Sequence, residues 1–423
     1  MLNLPPALTA LRYRNFRLIW LGQLISMSGS TMQSAAILWH VSLLAPENQK
    51  GLALGVVGLV RVIPIIIFSL ISGVVADAVD RRKLMLATQT GMTLAAAALA
   101  FITFRGLTAA WPVYLLTALS AAASAFDNPA RQSLVPNLVP REHLPNAISL
   151  YAIMFQTASV LGPSLAGVVI ASLGVGWVYA FNVLSFLAVI VALLLMRDAP
   201  ERPEAEKSEI SLGAALEGLR FVFAAPLIRS TMVLDFFANF FASATALLPL
   251  FAQDILRVGA QGYGWLYAAP SIGAVAASLA MVRLTDRIER RGWVLIWGVF
   301  VYGLATVVFG LSRHFWLMFL CLALTGAADT VSMVLRNIIR QLTTPDHLRG
   351  RMTSVNMIFF MGGPQLGELE AGAVANWLGA PFSVVSGGLG CLLATAWIAW
   401  LTPTLRRYRR EARPLAMQGA AAD

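Results

Sequence analysis

The sequence predicts an all-α integral membrane protein with twelve transmembrane helices in two six-helix halves. Three observations lead to this fold class. The 423 residues are 58% hydrophobic and only 12% charged, whereas soluble globular proteins carry about 25% charged residues. Twelve apolar runs are long enough to cross a bilayer as helices, the open-ended element whose backbone is satisfied in lipid. The longest polar stretch, 197–209, divides these runs six and six. A soluble enzyme is therefore excluded.

Each apolar run defines one expected span. The proline and glycine residues inside the runs would break soluble helices, but they are tolerated in transmembrane helices. The spans are predicted at roughly 17–44, 52–75, 84–104, 111–131, 147–173, 177–196, 229–251, 263–284, 292–311, 315–339, 352–378 and 380–401.

The distribution of basic residues predicts the orientation of the spans. An even number of spans places both termini on one side, and most of the 31 Lys and Arg residues fall in segments on that side. The opposite loops hold only Lys50, Arg105, Arg257 and Arg313. Because cytoplasmic loops carry the excess of Lys and Arg, both termini are predicted to be cytoplasmic. Membrane topology thus explains the net charge of +10, and no nucleic-acid partner is expected.

The central polar stretch also predicts the domain organisation. Residues 12–197 form a first six-helix bundle, 198–226 a cytoplasmic linker, 227–403 a second bundle and 404–423 a basic cytoplasmic tail. Within the linker, the apolar residues of 210–223 share one helical face, which predicts an amphipathic helix on the cytoplasmic surface. The lipid bilayer is the expected surroundings, and nothing in the sequence demands more than a monomer.

Three short motifs recur in the same order in the two halves, which argues for a duplicated six-helix unit. Transporters are often built from such repeats, with the substrate site between them. The pairs are Asp77–Arg82 and Asp286–Arg291 after the second and eighth spans, Gly162–Gly167 and Gly363–Glu368 in the fifth and eleventh, and Ala130–Gln132 and Leu335–Asn337 at the ends of the fourth and tenth.

The stretch G-V-V-A-D-A-V-D-R-R, which begins at Gly73, resembles the G-x-x-x-D-x-x-G-R-R signature of the major facilitator superfamily. Asp80 replaces the usual Gly, and Ala78 the usual Arg. The resemblance covers about residues 12–405 and implies the major facilitator fold, a transporter of two pseudo-symmetric bundles that works by alternating access. No Arg occurs in 114–118 of the fourth span, where drug antiporters of this superfamily carry one.

The resemblance implies a cytoplasmic gate at this signature. Asp77 would cap a helix of the other half when the inner side is closed, and Arg81 and Arg82 would hold neighbouring acidic groups. A solvated positive loop is the simpler alternative. The corresponding second-half residues are Asp286, Glu289, Arg290 and Arg291.

Other stretches narrow the resemblance further. Gly162, Pro163 and Gly167 resemble the helix signature of the antiporter branch, and Gly363 and Pro364 occupy the equivalent place in the second half. The same residues would also suit ordinary close helix packing. Three stretches are similar to the bacterial enterobactin-exporter-like and multidrug efflux permease group, which implies a drug or a siderophore as substrate: Phe126–Gln132, Gly264–Pro270 and Thr344–Arg351.

Ionisable groups inside spans are costly, so each is a candidate for function. Arg61 and Glu368 both lie about ten residues, or ~15 Å, from the predicted outer ends of their spans. In the resembled superfamily these two spans face each other. We therefore expect an Arg61–Glu368 ion pair, with Glu370 as the alternative partner, that helps to close the outer side. Each residue could instead be satisfied within its own half.

Three aspartates, Asp127, Asp235 and Asp329, lie in spans that by resemblance line the central cavity. A carboxyl group in such a cavity can exchange a proton near neutral pH. Each also has a structural alternative. Asp127 lies four residues before Arg131, which favours a local ion pair. Asp235 has Asn239 one turn later, a polar stripe that would face a cavity, and Asp329 lies seven residues before Arg336 on the same face.

The sequence and the resemblance together predict a secondary transporter of a bacterial inner membrane that exports a small amphipathic molecule in exchange for protons. An importer or uniporter is one alternative, and a membrane sensor on the same fold is another. No Walker-type loop, nucleophile motif or metal-ligand spacing occurs, so we expect no enzyme activity, no cofactor and no metal.

Overall fold

The computed structural model describes residues 6–196, 219–345 and 348–409. The described residues are predominantly helical, and no strand occurs among them. The first half contains six long helices: α1 (Arg14–Leu44), α2 (Lys50–Ala78), α3 (Arg81–Phe104), α4 (Trp111–Leu134), α5 (Leu144–Leu173) and α6 (Val175–Leu195).

The second half repeats this order after the linker. Its helices are α7 (Pro226–Phe241), α8 (Gly259–Leu284), α9 (Arg291–Leu311), α10 (Phe315–Thr343), α11 (Arg349–Leu378) and α12 (Ala380–Leu401), followed by the short α13 (Pro403–Arg407). Most of the predicted linker helix lies outside the described residues, and helix is recorded only from residue 219.

The seventh span is broken, unlike the continuous span predicted. After α7 the chain turns and continues through the short helical segments Ala244–Leu247, Leu248–Leu250 and Phe251–Ile255. Pro249 lies in the first turn of the second of these segments, where a proline is tolerated because its missing N–H would have no helical partner. The break lies near the middle of the span.

Nine helical segments among the described residues are long and apolar enough to cross a membrane by length and composition alone. They include the broken seventh span, Pro226–Ile255. The remaining long helices, α1, α4 and α11, have the length but carry more polar side chains, such as Gln23, Gln33 and Glu368. Helices that face other helices tolerate these groups better than helices that face lipid.

Packing within the two halves follows the sequence repeat. In the first half α1 packs on α5 and α6, α2 on α4, and α3 on α4 and α6. In the second half α7 packs on α11 and α12, α8 on α10, and α9 on α10 and α12. Each pair in the first half therefore has its counterpart six helices later.

The halves meet mainly through α2 with α11 and α5 with α8. We call the end at which α1 finishes and α2 begins the outer end. There, one cluster of buried apolar side chains contains residues of both halves, including Leu38, Leu54 and Tyr263. At the opposite, inner end, each half has a separate cluster of its own. The described packing thus joins the halves at the outer end.

Candidate functional site

Glycines bring the two halves into backbone contact at the outer end. A methyl group on Gly55 of α2 would lie 2.9 Å from the backbone oxygen of Glu368, and one on Gly372 of α11 would lie 2.7 Å from the Gly55 Cα. A methyl group on Gly264 of α8 would lie 2.6 Å from the Pro163 backbone oxygen of α5. These distances are too short for any larger side chain, so this closure requires glycine.

Two hydrogen bonds connect the halves at the same end. The Tyr263 hydroxyl donates to the Ala35 carbonyl at 2.8 Å, and Gln253 Nε2 donates to Ser42 Oγ at 2.8 Å. The ring of Trp39 packs 5.1 Å from that of Tyr263, centroid to centroid. Buried polar contacts of this kind add specificity to the apolar closure.

Arg61 and Glu368 lie in this closed region and interact electrostatically. The described ion pairs within 4.0 Å do not include them. Glu368 Oε2 is buried and has no hydrogen-bond partner among the described residues; it packs against Gly58, one turn before Arg61. The Arg61 guanidinium donates to the Ser34 carbonyl at 3.4 Å. Glu370, the alternative partner, is half-buried on α11.

The first half holds a locally satisfied ion pair. Asp127 is fully buried and pairs with Arg131, one turn later on α4. Thr88 Oγ1 and Gln89 Nε2 of α3 donate to Asp127 Oδ1 at 2.9 and 3.0 Å. One carboxylate and one guanidinium balance in charge, and the carboxylate has donors on both oxygens. This pair therefore needs no further ion.

The second half places two carboxylates on one guanidinium. Arg336 of α10 is 1% exposed, and its Nη2 lies 2.8 Å from Asp235 Oδ1 of α7 and 3.2 Å from Asp329 Oδ1. Ser332 accepts a bond of 3.0 Å from Arg336 Nη1, and Asn239 donates to Asp235 Oδ1 at 2.9 Å. We call these three side chains the Arg336 cluster: two carboxylates share one guanidinium, and a second buried arginine, Arg340, lies one turn further along α10 and interacts electrostatically with Asp235.

A cavity of about 120 Å³ adjoins the Arg336 cluster. Asp329 lies in its wall, with 39% of the side chain exposed, whereas the Asp235 side chain is 2% exposed. The cavity lies beside the break in the seventh span, near the middle of the bundle. Its lining residues are Ala242, Thr245, Pro270, Tyr302, Thr306, Phe309, Leu322, Thr325, Gly326 and Asp329.

The signature after α2 is partly described. Asp80 precedes α3 and caps it, accepting from the backbone N–H groups of Arg82 at 2.8 Å and Lys83 at 3.2 Å. Arg82 Nη2 donates to the Leu194 carbonyl of α6 at 3.2 Å. Arg81 is half-buried. Gly73 and Asp77 lie in α2, and the contacts of the Asp77 side chain are not among those that the structure describes.

In the second half, the equivalent residues occupy the turn between α8 and α9. Asp286 and Glu289 lie in this turn, Arg290 precedes α9 and Arg291 begins it. Arg291 is 7% exposed. The next residue, Gly292, donates its N–H to the Tyr408 carbonyl at 3.1 Å, so this turn contacts the segment that follows α12.

The antiporter-like motifs lie at equivalent helix contacts. A methyl group on Gly162 of α5 would lie 2.6 Å from the Ser28 carbonyl of α1. In the second half, Gly363 of α11 faces Phe236 of α7, and the Pro364 carbonyl accepts from Ser243 Oγ at 3.1 Å. Gly167 has a different role, because it contacts α8 of the other half.

Comparison with known proteins identifies the family. The transmembrane secretion effector family, a branch of the major facilitator superfamily, matches residues 6–417. The chain belongs to this family. This confirms the predicted superfamily and fold class, and it confirms that the protein is a transporter rather than an enzyme.

Two relatives of this transporter cover nearly the whole chain. The multidrug efflux pump Tap of Mycolicibacterium fortuitum is 27% identical, over 94% of this chain and 98% of its own length. The enterobactin exporter EntS of Escherichia coli O1:K1 is 25% identical, over 93% of each chain. These two relatives represent both substrate groups named in the sequence resemblance.

Solved structures of transporters support the same fold class. A bacterial homolog of the human lysosomal transporter Spinster, inward-facing and unoccupied, has a TM-score of 0.74 at 15% identity, over 95% of this chain and 99% of its own. A bacterial homologue of the iron transporter ferroportin has a TM-score of 0.68 at 16% identity, over 92% and 98%. At these identities the likeness shows the fold alone.

Several important residues of the transporter were missed by sequence reasoning. Thr88 and Gln89 satisfy Asp127, but single polar residues in an apolar run carry no sign of their partner. The threonines of the cavity wall were missed because hydroxyl groups are common in transmembrane helices. Arg340 also pairs with Asn356 and Asn337. The available signal for these polar groups was the recurrence of an arginine at Arg131 and Arg336, because each of these two residues pairs with the buried carboxylates of its half.

Proposed function

We propose that this transporter exports a small amphipathic organic molecule, of the drug or siderophore type, by alternating access in exchange for protons. The relatives Tap and EntS support export and the substrate class. The observation that carries the coupling is the placement of Asp235 and Asp329 on one guanidinium, that of Arg336.

The Arg336 cluster suits a proton carrier for an electrostatic reason. A carboxylate inside the membrane is costly, and Asp329 has to share the Arg336 guanidinium with Asp235, so Asp329 gains by binding a proton. Asp329 borders the cavity and is the more accessible of the two acids, while the Asp235 side chain is almost fully buried. Protonation at Asp329 would weaken its hold on Arg336 and leave Asp235 as the remaining partner. Because Arg336 of α10 also pairs with Asp235 of α7, protonation of Asp329 would change the contact between these two helices.

The first half does not suit this role. Asp127 is balanced by Arg131 and fully buried, with hydrogen bonds from α3. Proton binding there would break a satisfied pair. We therefore assign Asp127 a structural role in the first bundle and place ion coupling in the second.

Alternating access requires gates at both ends. In this proposal the glycine contacts of α2 with α11 and of α5 with α8 form the outer gate, with Arg61, Glu368 and Glu370 as its charged groups. The inner gate would form when the signature residues Asp77, Asp80, Arg81 and Arg82, and their counterparts Asp286, Glu289, Arg290 and Arg291, approach the opposite half. The separate apolar clusters at the inner end support an arrangement closed only at the outer end.

The same proposal includes the orientation of the protein in the membrane and its division into domains. The positive-inside pattern supports cytoplasmic termini in a bacterial inner membrane. Two bundles, at 12–197 and 227–403, would move about the 198–226 linker as a monomer, with 404–423 as a cytoplasmic tail.

Transport by reconstituted protein tests this function. Proteoliposomes containing the intact protein are given a pH gradient, and movement of a fluorescent efflux dye or of an iron-free catecholate is followed. Wild type should move the probe in response to the gradient, and Asp329→Asn and Asp235→Asn should abolish that response. Asp254→Asn, which removes an exposed carboxylate at the end of the seventh span, is the matched control and should transport normally. Probe movement that ignores the gradient and survives both substitutions would overturn proton antiport and favour a uniporter.

A further inference from the structure

The cavity beside Asp329 extends along the helices toward the outer end. On α10 its wall reaches from Asp329 to Leu322, and on α9 it reaches from Tyr302 to Phe309. The two residues of each pair are seven positions apart, which corresponds to ~10 Å of helix. Because α9 ends and α10 begins at the outer end, Phe309 and Leu322 are the outermost wall residues of these helices. The cavity therefore runs outward from Asp329.

The wall of this cavity suits water. Thr306 Oγ1 and Thr325 Oγ1 donate to carbonyls one turn earlier on their own helices, at 2.9 and 2.6 Å. A hydroxyl that donates keeps its lone pairs, so both oxygens can still accept from water. Thr245 adds a third hydroxyl, and Asp329 adds a carboxylate. One water needs about 10–15 Å³ by the same measure, so the cavity of about 120 Å³ has room for several.

An aromatic contact closes the outer end of the cavity. Phe309 is fully buried, and its ring lies 4.6 Å, centroid to centroid, from that of Phe251 in the last segment of the seventh span. Both rings belong to the outer cluster of buried apolar side chains, which also contains Leu322. Phe309 lies only two residues before the end of α9. This one layer of apolar side chains therefore stands between the polar cavity and the outer end of the helix.

The cavity is separate from the contact between the halves. Its wall comes from the second half alone, from the seventh span, α8, α9 and α10. At the interface, the backbones of α2 and α11 touch at Gly55 and Gly372, where even a methyl group would lie 2.7 Å from the opposite chain. Water can therefore reach Asp329 from the outer side through the second half while the interface is closed.

The charges next to Asp329 lie on the inner side of the cavity. Arg336 and Arg340 are two and three turns further toward the inner end of α10, and Asp235 of α7 is bound to Arg336 at 2.8 Å. Among the described residues that line the cavity, Asp329 alone is charged. A proton that enters from the outer end would therefore meet Asp329 first.

We propose that the cavity holds a chain of water molecules that carries protons from the outer side to Asp329, with the Phe309–Phe251 contact as its gate. This inference rests on the proposed function, because it supplies the coupling proton by a route apart from the path of the exported molecule. Each water accepts one proton and passes on another, and the last gives one to the ionised Asp329 carboxylate. The waters are unchanged, and the acid becomes neutral. Thr306 and Thr325 position the chain through their oxygens.

Passive proton flow tests the gate. Proteoliposomes containing the full-length protein and a trapped pH indicator, without efflux dye, are acidified outside while K⁺ and valinomycin balance the charge. Phe309→Ala removes one ring of the gate and should raise the rate of proton influx severalfold over wild type. The double variant Phe309→Ala/Asp329→Asn should return to the wild-type rate. Phe319→Ala removes a ring of α10 that packs on the same apolar cluster but does not line the cavity, and it should not leak.

A second measurement uses the wild-type protein, so a folding defect cannot imitate the result. In X-ray radiolytic labelling, radicals formed from bound water oxidise the side chains beside it. Phe309 should be labelled although it is fully buried, whereas Phe16, which is 2% exposed in the inner cluster of the first half, should not. Thr306→Val and Thr325→Val should lower this labelling and slow gradient-driven dye export. Thr330→Val, which removes a buried hydroxyl of α10 outside the cavity, should do neither.

Three results would overturn the water chain. They are an unlabelled Phe309 in wild type, a wild-type rate of proton influx in Phe309→Ala, and a leak that persists when Asp329→Asn is added. Gradient-driven export by the wild-type protein would stand in each case. Failure of this inference is therefore distinct from failure of the proposed function.

Discussion

The guanidinium of Arg336 lies 2.8 Å from the carboxylate of Asp235, and the carboxylate of Asp329 shares the same nitrogen at 3.2 Å. In the first half, the equivalent arginine, Arg131, has a single carboxylate partner on its own helix. The duplicated halves therefore differ in the number of carboxylates that share the equivalent arginine. That asymmetry is the physical basis for placing ion coupling in the second half.

Removal of Arg336 should be severely destabilising. Arg336→Met leaves two carboxylates close together at a buried site, and breaking a buried pair typically costs about 3–5 kcal/mol. The unfolding temperature of the purified variant should fall markedly. Arg229→Gln removes an exposed arginine at the start of α7 and should change stability little. Equal stability of the two variants would contradict the role given to Arg336.

The Asp127–Arg131 pair should be dispensable for coupling. The double variant Asp127→Asn/Arg131→Gln removes both charges together and leaves no buried ion unpaired. It should lower the thermal stability yet keep dye export that responds to the pH gradient, measured in proteoliposomes at equal protein content. A stable double variant whose transport ignores the gradient would show that the first half also carries the coupling ion.

Arg61 and Glu368 should be energetically coupled in transport. Each single substitution, Arg61→Gln or Glu368→Gln, leaves one charge at the outer gate without its counterpart, so each should slow export. The double variant should recover part of the lost rate, and the double-mutant cycle should give an interaction energy of about 0.5–3 kcal/mol. Glu370→Gln is the comparison on the same helix. If the losses of export rate for Arg61→Gln and Glu368→Gln were strictly additive, the predicted coupling would be contradicted. Coupling between Arg61 and Glu370 instead would make Glu370 the partner of Arg61 at the outer gate.

Bulk at the outer glycine contact should prevent closure. Gly372→Val places a branched side chain where the Gly55 Cα is 2.7 Å from a single methyl group. Spin labels on Asn48→Cys and Leu378→Cys, near the outer ends of α2 and α11, should then report longer distances than in the wild-type background. Gly91→Val on α3, where a methyl group would have its nearest contact at 4.0 Å, is the control. An unchanged distance distribution in Gly372→Val would contradict the gate.

Much of the fold could be predicted because its signals are local. Apolar run length predicts the spans, and the recurrence of Asp77–Arg82 at Asp286–Arg291 predicts the two halves. The break of the seventh span was missed, since a proline such as Pro249 is tolerated in many continuous transmembrane helices. The exact ends of α1, α2 and α10 were also placed too short, because these helices extend into polar flanking residues that an apolar window excludes.

The site was predictable only in part. Isolated acids in apolar runs identified Asp127, Asp235 and Asp329, and helical spacing correctly suggested the Asp127–Arg131 pair. Sequence spacing also placed Asp329 on the face of Arg336. It could not place Asp235 there, because that contact crosses from α7 to α10 and depends on tertiary packing. The cavity wall has no local signal at all, since its threonines come from different helices.

Proton release on substrate binding tests the central claim most directly. The purified wild-type protein is mixed with an efflux dye in weakly buffered detergent solution containing a pH indicator. If Asp235 and Asp329 carry the coupling proton, dye binding should release protons from wild type, and the release should be lost in Asp329→Asn and Asp235→Asn while Asp254→Asn retains it. Undiminished proton release from both cluster variants, with dye still bound, would contradict coupling at the Arg336 cluster.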